Sequence, residues 1–164
     1  MRKLTFFAPL AAVLAFSAAP ATAEPALISV SLGADLQDKA EDLGPREVQE
    51  QADRLAELVG RALAREGDLE GARIELVLTD LRPNRPTFQQ MSDRPGLDGH
   101  RSRSIGGATI EGQITTADGR TLPVQYDWYS SSLADVRGVS TWADADRAYR
   151  RLAVNLADGR YFTR

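Results

Sequence analysis

Apolar residues along this chain recur at two spacings, and the order of those spacings constrains the fold more than any other feature. From Ala26 to Leu32, Ile28, Val30 and Leu32 alternate with Ser29 and Ser31, the period-two pattern of a strand with one buried face. Gly33 ends it, and a polar stretch from Ala34 to Gly44 follows. The spacing then widens: Val48, Ala52, Leu55, Val59 and Ala62 recur at three- and four-residue steps, with Leu58 and Leu63 broadening the stripe, as on an amphipathic helix. Pro45 suits the first helical position, Glu47 sets an anion at the positive end of the helix dipole, and Gly67 follows the last turn.

Period two returns from Ala72 to Leu81, with Ile74, Leu76 and Leu78 inward and Val77 the exception, until Pro83 and Pro86 stop the ladder. Ala108 to Thr115 and Leu122 to Tyr129 alternate on either side of Asp118-Gly119, which predicts a hairpin. Its outward residues are polar, so the sheet is expected to be covered on one side only. Tyr126 and Trp128 are expected inward and Tyr129 outward. A closing helix carries Trp142, Ala145, Tyr149, Leu152 and Leu156 on one stripe, with Thr141 and Asp144 at capping-box spacing and Gly159 as its stop. The order β-α-β-β-β-α predicts an α+β fold, a two-layer α/β sandwich of about four strands with two helices on one face.

The N-terminus reads as an address. Arg2 and Lys3 precede an apolar run from Leu4 to Phe16, and Ala21-Thr22-Ala23 has the A-x-A form of a secretory cleavage site. Residues 1–23 are therefore expected to be a signal peptide cut at Ala23, with Ala18 or Ala19 as alternative sites, and residues 24–164 a single domain. A membrane anchor fits less well, since the run falls short of the roughly 20 residues needed to span a bilayer and contains Pro9. Removing Arg2 and Lys3 leaves 18 basic residues against 23 acidic ones, a net charge of −5. That balance argues against nucleic acid or an anionic membrane as partner. Cysteine is absent, which excludes disulfides, thiolate chemistry and the lipidated residue of a lipoprotein. The expected location is the periplasm or the exterior, with no integral membrane segment after cleavage.

Candidate chemistry gathers between Asp80 and Arg103. This periodless connection holds Arg82, Asn84, Arg85, Arg94, Arg101 and Arg103 with His100, whereas Ala34 to Glu70 carries eleven acids and five bases. Arginine forks recognise carboxylates and phosphates, so Arg82, Asn84, Arg85, His100, Arg101 and Arg103 form a candidate anion- or partner-binding loop. The alternative is that the arginines pair with internal carboxylates and hold the loop down. His100 is the only histidine, and Asp98 two residues earlier could orient it, but no G-x-S-x-G elbow accompanies it. Asp35, Asp38, Glu41 and Asp42 lack a calcium-loop pattern, and no metal or cofactor is expected. Glu111 and Asp127 are two acids on the outer sheet face with no cleft implied. Gly106-Gly107 is expected to mark a bulge or a close backbone approach.

The leader, the first strand and long helix, the run Arg82-Pro83-Asn84-Arg85-Pro86-Thr87-Phe88, the Gly106-Gly107 strand and the closing helix together resemble small bacterial envelope proteins of the YajG-like lipoprotein type. The chain departs from that pattern by lacking the lipidated cysteine. The resemblance implies envelope location and non-enzymatic service, and it transfers no functional residue. The expectation is thus a non-catalytic binding or accessory protein with no catalytic residue, whose partner is an envelope protein or a small anionic ligand. The alternative is a hydrolase acting on an anionic or cell-wall substrate through His100.

Overall fold

A computed structural model describes residues 26–66, 69–136 and 140–163. The expected signal peptide with its expected cleavage at Ala23, and the expected helix stop at Gly67, lie outside the described residues. The elements are β1 (Leu27–Leu32), α1 (Ala34–Leu43), α2 (Pro45–Glu66), β2 (Arg73–Arg82), α3 (Phe88–Asp93), β3 (Gly107–Thr115), β4 (Thr121–Tyr129), α4 (Ala143–Ala157) and β5 (Phe162–Thr163). They form an α+β fold around one mixed sheet of order β1-β2-β3-β4-β5. The four long strands match the periodic segments; the two-residue β5 is an addition. β1 pairs parallel with β2, and β5 parallel with β4, while β2, β3 and β4 form an antiparallel meander.

Each alternation resolves into one buried face. Ile74, Leu76, Leu78, Ala108, Ile110 and Ile114 are at most 1% exposed, and their apolar tips meet Val48, Leu55 and Val59 of α2 and Tyr149, Leu152 and Leu156 of α4 in one cluster. α2 packs on β1 and α4, and α4 packs on β3 and β4. The opposite sheet face carries exposed Ser29, Glu111, Gln113, Gln125 and Asp127, so the sheet is covered on one side, as its polar outward positions require. A register shift between Leu78 and Asp80 lets Leu81 face inward at 2% exposure beside Leu78.

Two helices appear where no period announced them. The polar stretch Ala34–Gly44 is largely α1, held by Leu36, Ala40 and Leu43, all buried at helical spacing. Gly44, at φ 95, breaks α1 from α2, which begins at Pro45 as its fixed φ favours. Within the periodless 82–103 connection lies α3, whose Thr87 hydroxyl accepts from the Gln90 backbone N–H at 3.1 Å while the Gln90 side chain accepts from the Thr87 N–H at 3.3 Å. That is a complete capping box.

Candidate functional site

Asn84 sets the geometry of the arginine loop. It is 1% exposed and every polar atom is engaged. Its backbone N–H donates to Thr141 O at 2.7 Å, and its carbonyl accepts from Ser104 N–H at 2.9 Å. Nδ2 donates to Asp144 Oδ2 at 2.6 Å and to Ser104 O at 3.3 Å, and Oδ1 accepts from Asp144 N–H at 2.8 Å. Asp144, fully buried, also accepts from Ser130 Oγ at 2.7 Å and from Arg147 at 3.2 Å. One point therefore ties the end of β2, the approach to β3, the end of β4 and the start of α4.

Two expectations change here. Asn84 belongs to the interior and not to a binding surface, because its amide is consumed by Asp144 and Ser104. Asp144 does not close a box with Thr141; α4 has Trp142 at its cap with no side-chain cap bond, since the carboxylate turns to Asn84 and Ser130 instead. The glycine pair follows from the same packing. A Cβ on Gly106 would lie 2.6 Å from Asn84 Nδ2, and one on Gly107 would lie 2.2 Å from Trp128 O. Close approach is the reason for both.

Pinned at Asn84, the loop folds over α3 and encloses an open depression of about 380 Å³ lined by Arg82, Arg85, Arg94 and Arg103 together with Pro83, Pro86 and Leu97. Two of these arginines are neutralised. Arg82 Nε meets Asp80 Oδ2 at 3.0 Å, and Arg94 pairs with Asp42 of α1. The other two bond only to main-chain carbonyls among the described residues: Arg85 donates to Gly99 O at 3.0 Å and His100 O at 2.6 Å, and Arg103 donates to Val136 O at 3.0 Å. A carbonyl fixes a guanidinium in place without cancelling its charge. The depression therefore holds two oriented cations outside any salt bridge among the described residues, Arg103 and Arg85, the latter sharing its field with the exposed Asp98 carboxylate, beside two paired ones.

His100 and Arg101 lie outside it. Both are exposed, and their backbone N–H groups donate to Asp98 Oδ1 at 2.7 and 2.9 Å. Those two bonds, Arg101 first, hold the Asp98 carboxyl below its usual range. Asp98 thus orients the loop's main chain and not an imidazole. Ser102 Oγ accepts from Asp98 N–H at 3.1 Å, and Ser104 Oγ donates to Pro83 O at 2.5 Å. The nearby serines are thereby committed to the turn, and no nucleophile-base pair forms around His100 among the described residues.

On the open sheet face, Asp80 joins Lys39 at 2.9 Å, Tyr129 Oη at 2.8 Å and Arg82. Burial works against ionisation of Asp80, yet the bonds from Lys39 and Tyr129 outweigh it and lower its pKa. Burial pushes the Tyr129 hydroxyl up to about 12; a bond to Thr109 opposes that rise and the Asp80 carboxylate adds to it. Arg82 lies 4.8 Å over the Tyr129 ring. Glu111 and Asp127 sit on neighbouring strands but out of register, opposite Gln125 and Thr109 respectively.

Sequence reasoning missed a second groove, about 490 Å³, between β4 and α4. Trp128 points inward as expected and packs against the core, but only half-buried, with Arg147 and Arg151 stacked on its ring at 5.4 and 4.7 Å. The i,i+4 arginine spacing on α4 was visible, but its aromatic target was not. No group of three or more metal-ligating side chains occurs among the described residues, and no described helix is long and apolar enough to cross a membrane. The chain matches no protein-family model and no curated protein.

Proposed function

We propose that the protein is an exported, non-catalytic binding module of the bacterial cell envelope that takes an anionic group in the depression between Arg85 and Arg103. The observation that carries this reading is that both guanidinium groups are held by carbonyls and neither forms a salt bridge among the described residues. Arg85 does lie near enough to exposed Asp98 to add to the lowering of its pKa, which the Arg101 and His100 N–H bonds dominate. A carboxylate or phosphate entering the depression would supply the missing counter-charge and accept from forks already fixed in direction, so little ordering entropy opposes binding. The leader sequence and the YajG-like layout support an envelope location. His100, exposed and unaccompanied, does not favour the hydrolase alternative.

The test is a thermal-shift and calorimetric screen of phosphate esters and di- and tricarboxylates at fixed ionic strength. A true ligand raises the unfolding temperature of the native state by mass action. Arg85→Ala combined with Arg103→Ala is expected to abolish the shift, while Arg101→Ala and His100→Ala leave it in place. A shift that survives the double replacement would remove the depression as the site. Recovery of the full chain in the cytoplasmic fraction with residues 1–23 still attached would remove the exported part of the reading.

A further inference from the structure

We propose that β1 is the seam of a symmetric homodimer, in which two copies pair antiparallel about a twofold axis through Ser29. The inference is independent of the anion-binding reading. Among the described residues β1 is an edge strand, bonded to β2 alone. Leu27 N–H donates to Ala72 O and Gly33 N–H to Leu78 O, each at 2.9 Å, which sets the phase of the parallel ladder. Odd-numbered residues point their main-chain groups at β2, so Ile28, Val30 and Leu32 point theirs at the open edge. The Leu32 carbonyl is already taken by Gln37 Nε2 at 2.8 Å. Ile28 and Val30 remain, each with a donor and an acceptor that meet no partner among the described residues.

Two such residues, spaced by one, are what antiparallel self-pairing needs. With Ser29 on the axis, Ile28 of each copy meets Val30 of the other, and the pair exchanges four main-chain hydrogen bonds. Parity is kept: the half-buried Ile28 and Val30 stay on the helix-covered face and the serines on the open face. Leu27–Leu32 carries no charge, so no like charges meet across the axis. Its six residues include no lysine and no proline, its ladder with β2 has no bulge, and Leu27 is 62% exposed.

The helix above the edge argues for a second copy over a lone extended peptide. α2 packs on β1, and a Cβ on Gly60 would meet Ile28 Cδ1 at 3.4 Å. At 3.6 residues per turn, Ala56 and Ala64 share the Gly60 flank, on the side away from Leu58 and Ala62 where α4 packs. Pairing the strands about a twofold axis brings the two α2 helices alongside each other, and this small-residue flank is what permits their approach. A peptide strand alone would leave it uncovered. The helix contact adds area that six strand residues alone cannot supply toward the roughly 800 Å² per partner of a stable interface.

Cysteine cross-linking of the full chain tests the register, because the protein has no other thiol. Ser29→Cys places two thiols across a non-hydrogen-bonded pair with Cα atoms about 4.5 Å apart, within disulfide reach. Ser31→Cys, on the same exposed face, places them about 13 Å apart, out of reach. Rapid covalent dimer formation by the first variant and not the second is expected, and wild type should sediment as a dimer that dissociates on dilution. Val30→Pro removes the outward N–H together with part of the packing of a half-buried side chain; it should stay folded and sediment as a monomer, whereas Val30→Ala, which loses packing but keeps the N–H, should still dimerise. Wild type that is monomeric throughout, equal cross-linking by both cysteine variants, or a folded dimeric Val30→Pro protein would each overturn the proposal.

Discussion

Replacing Asn84 by alanine should be among the most destabilising single changes outside the apolar core. The change removes two donors and one acceptor at a site 1% exposed to solvent. The buried Asp144 carboxylate loses its shortest bond, at 2.6 Å, and keeps Ser130 and the longer contact to Arg147. A hydrogen bond to a charged group contributes about 1.5–3 kcal/mol, and stranding the Asp144 N–H in the interior costs about 1–3 kcal/mol more. Some of that is recovered if water enters the vacated space above Gly106, so the net expectation is about 3–4 kcal/mol. With a urea slope near 2 kcal/mol/M, the denaturation midpoint falls by about 1.5–2 M. At this chain length the melting temperature drops by roughly 10 °C. Asn84→Ala made in an Asp144→Ala background should cost less by about 1.5–3 kcal/mol, the part owed to the carboxylate, while the backbone N–H of residue 144 still loses Oδ1. A loss below about 1 kcal/mol in the single variant, or full additivity of the pair, would refute the claim that this amide holds the loop to α4.

Two further outcomes follow from polar groups in unusual settings. Tyr149 is fully buried with its hydroxyl unpartnered among the described residues, and burial pushes its pKa upward; Tyr149→Phe should therefore raise stability by about 1 kcal/mol in urea unfolding, and a loss of that size would reveal a concealed partner. Asp80 has a lowered pKa in the fold, so its stabilisation is present above its unfolded value near 3.8 and is lost as pH falls through the folded value. The urea midpoint of Asp80→Asn should accordingly fall less steeply than that of wild type on acidification through this range, and parallel profiles would show that the Lys39 and Tyr129 contacts carry no linkage.

The long-range plan of the fold was legible because it rests on periodicity summed over many residues. Ile74, Leu76 and Leu78, the Asp118-Gly119 hairpin and the α2 stripe each repeat their signal several times, so local exceptions such as Val77 do not matter. What escaped were elements whose signal is brief or whose partners are distant. α1 shows only Leu36, Ala40 and Leu43 among acidic neighbours. α3 spans six residues, too few for a period, although Thr87-x-x-Gln90 was a readable start. Asn84 could not be placed at all from sequence, since its role depends on Ser104 and Asp144, twenty and sixty residues further on. The same distance effect misled the reading of Thr141 and Asp144: the capping pattern was present, but a buried amide competed for the carboxylate and won. Of the arginine loop, its charge was legible and its division into paired and unpaired cations was not, because that division is made by Asp42, Asp80 and the carbonyls of a folded chain.

The order and sense of the strands also fix how the molecule responds to pulling. β1, β2, β4 and β5 run in one direction and only β3 opposes them, so the sheet is entered at the start of one edge strand and left partway along the other, where Thr163 is level with Tyr126 of β4 and, through Ile110 and Leu78, with Leu32 of β1. Tension between residue 27 and residue 163 therefore acts obliquely, about 17 Å along the strands and about 19 Å across four strand spacings, so it combines shear of the ladder with peeling at its edges. A protein stretched between attachments at these two residues would lose the two-residue β5 first, and the meander of β2, β3 and β4 would bear the load after it.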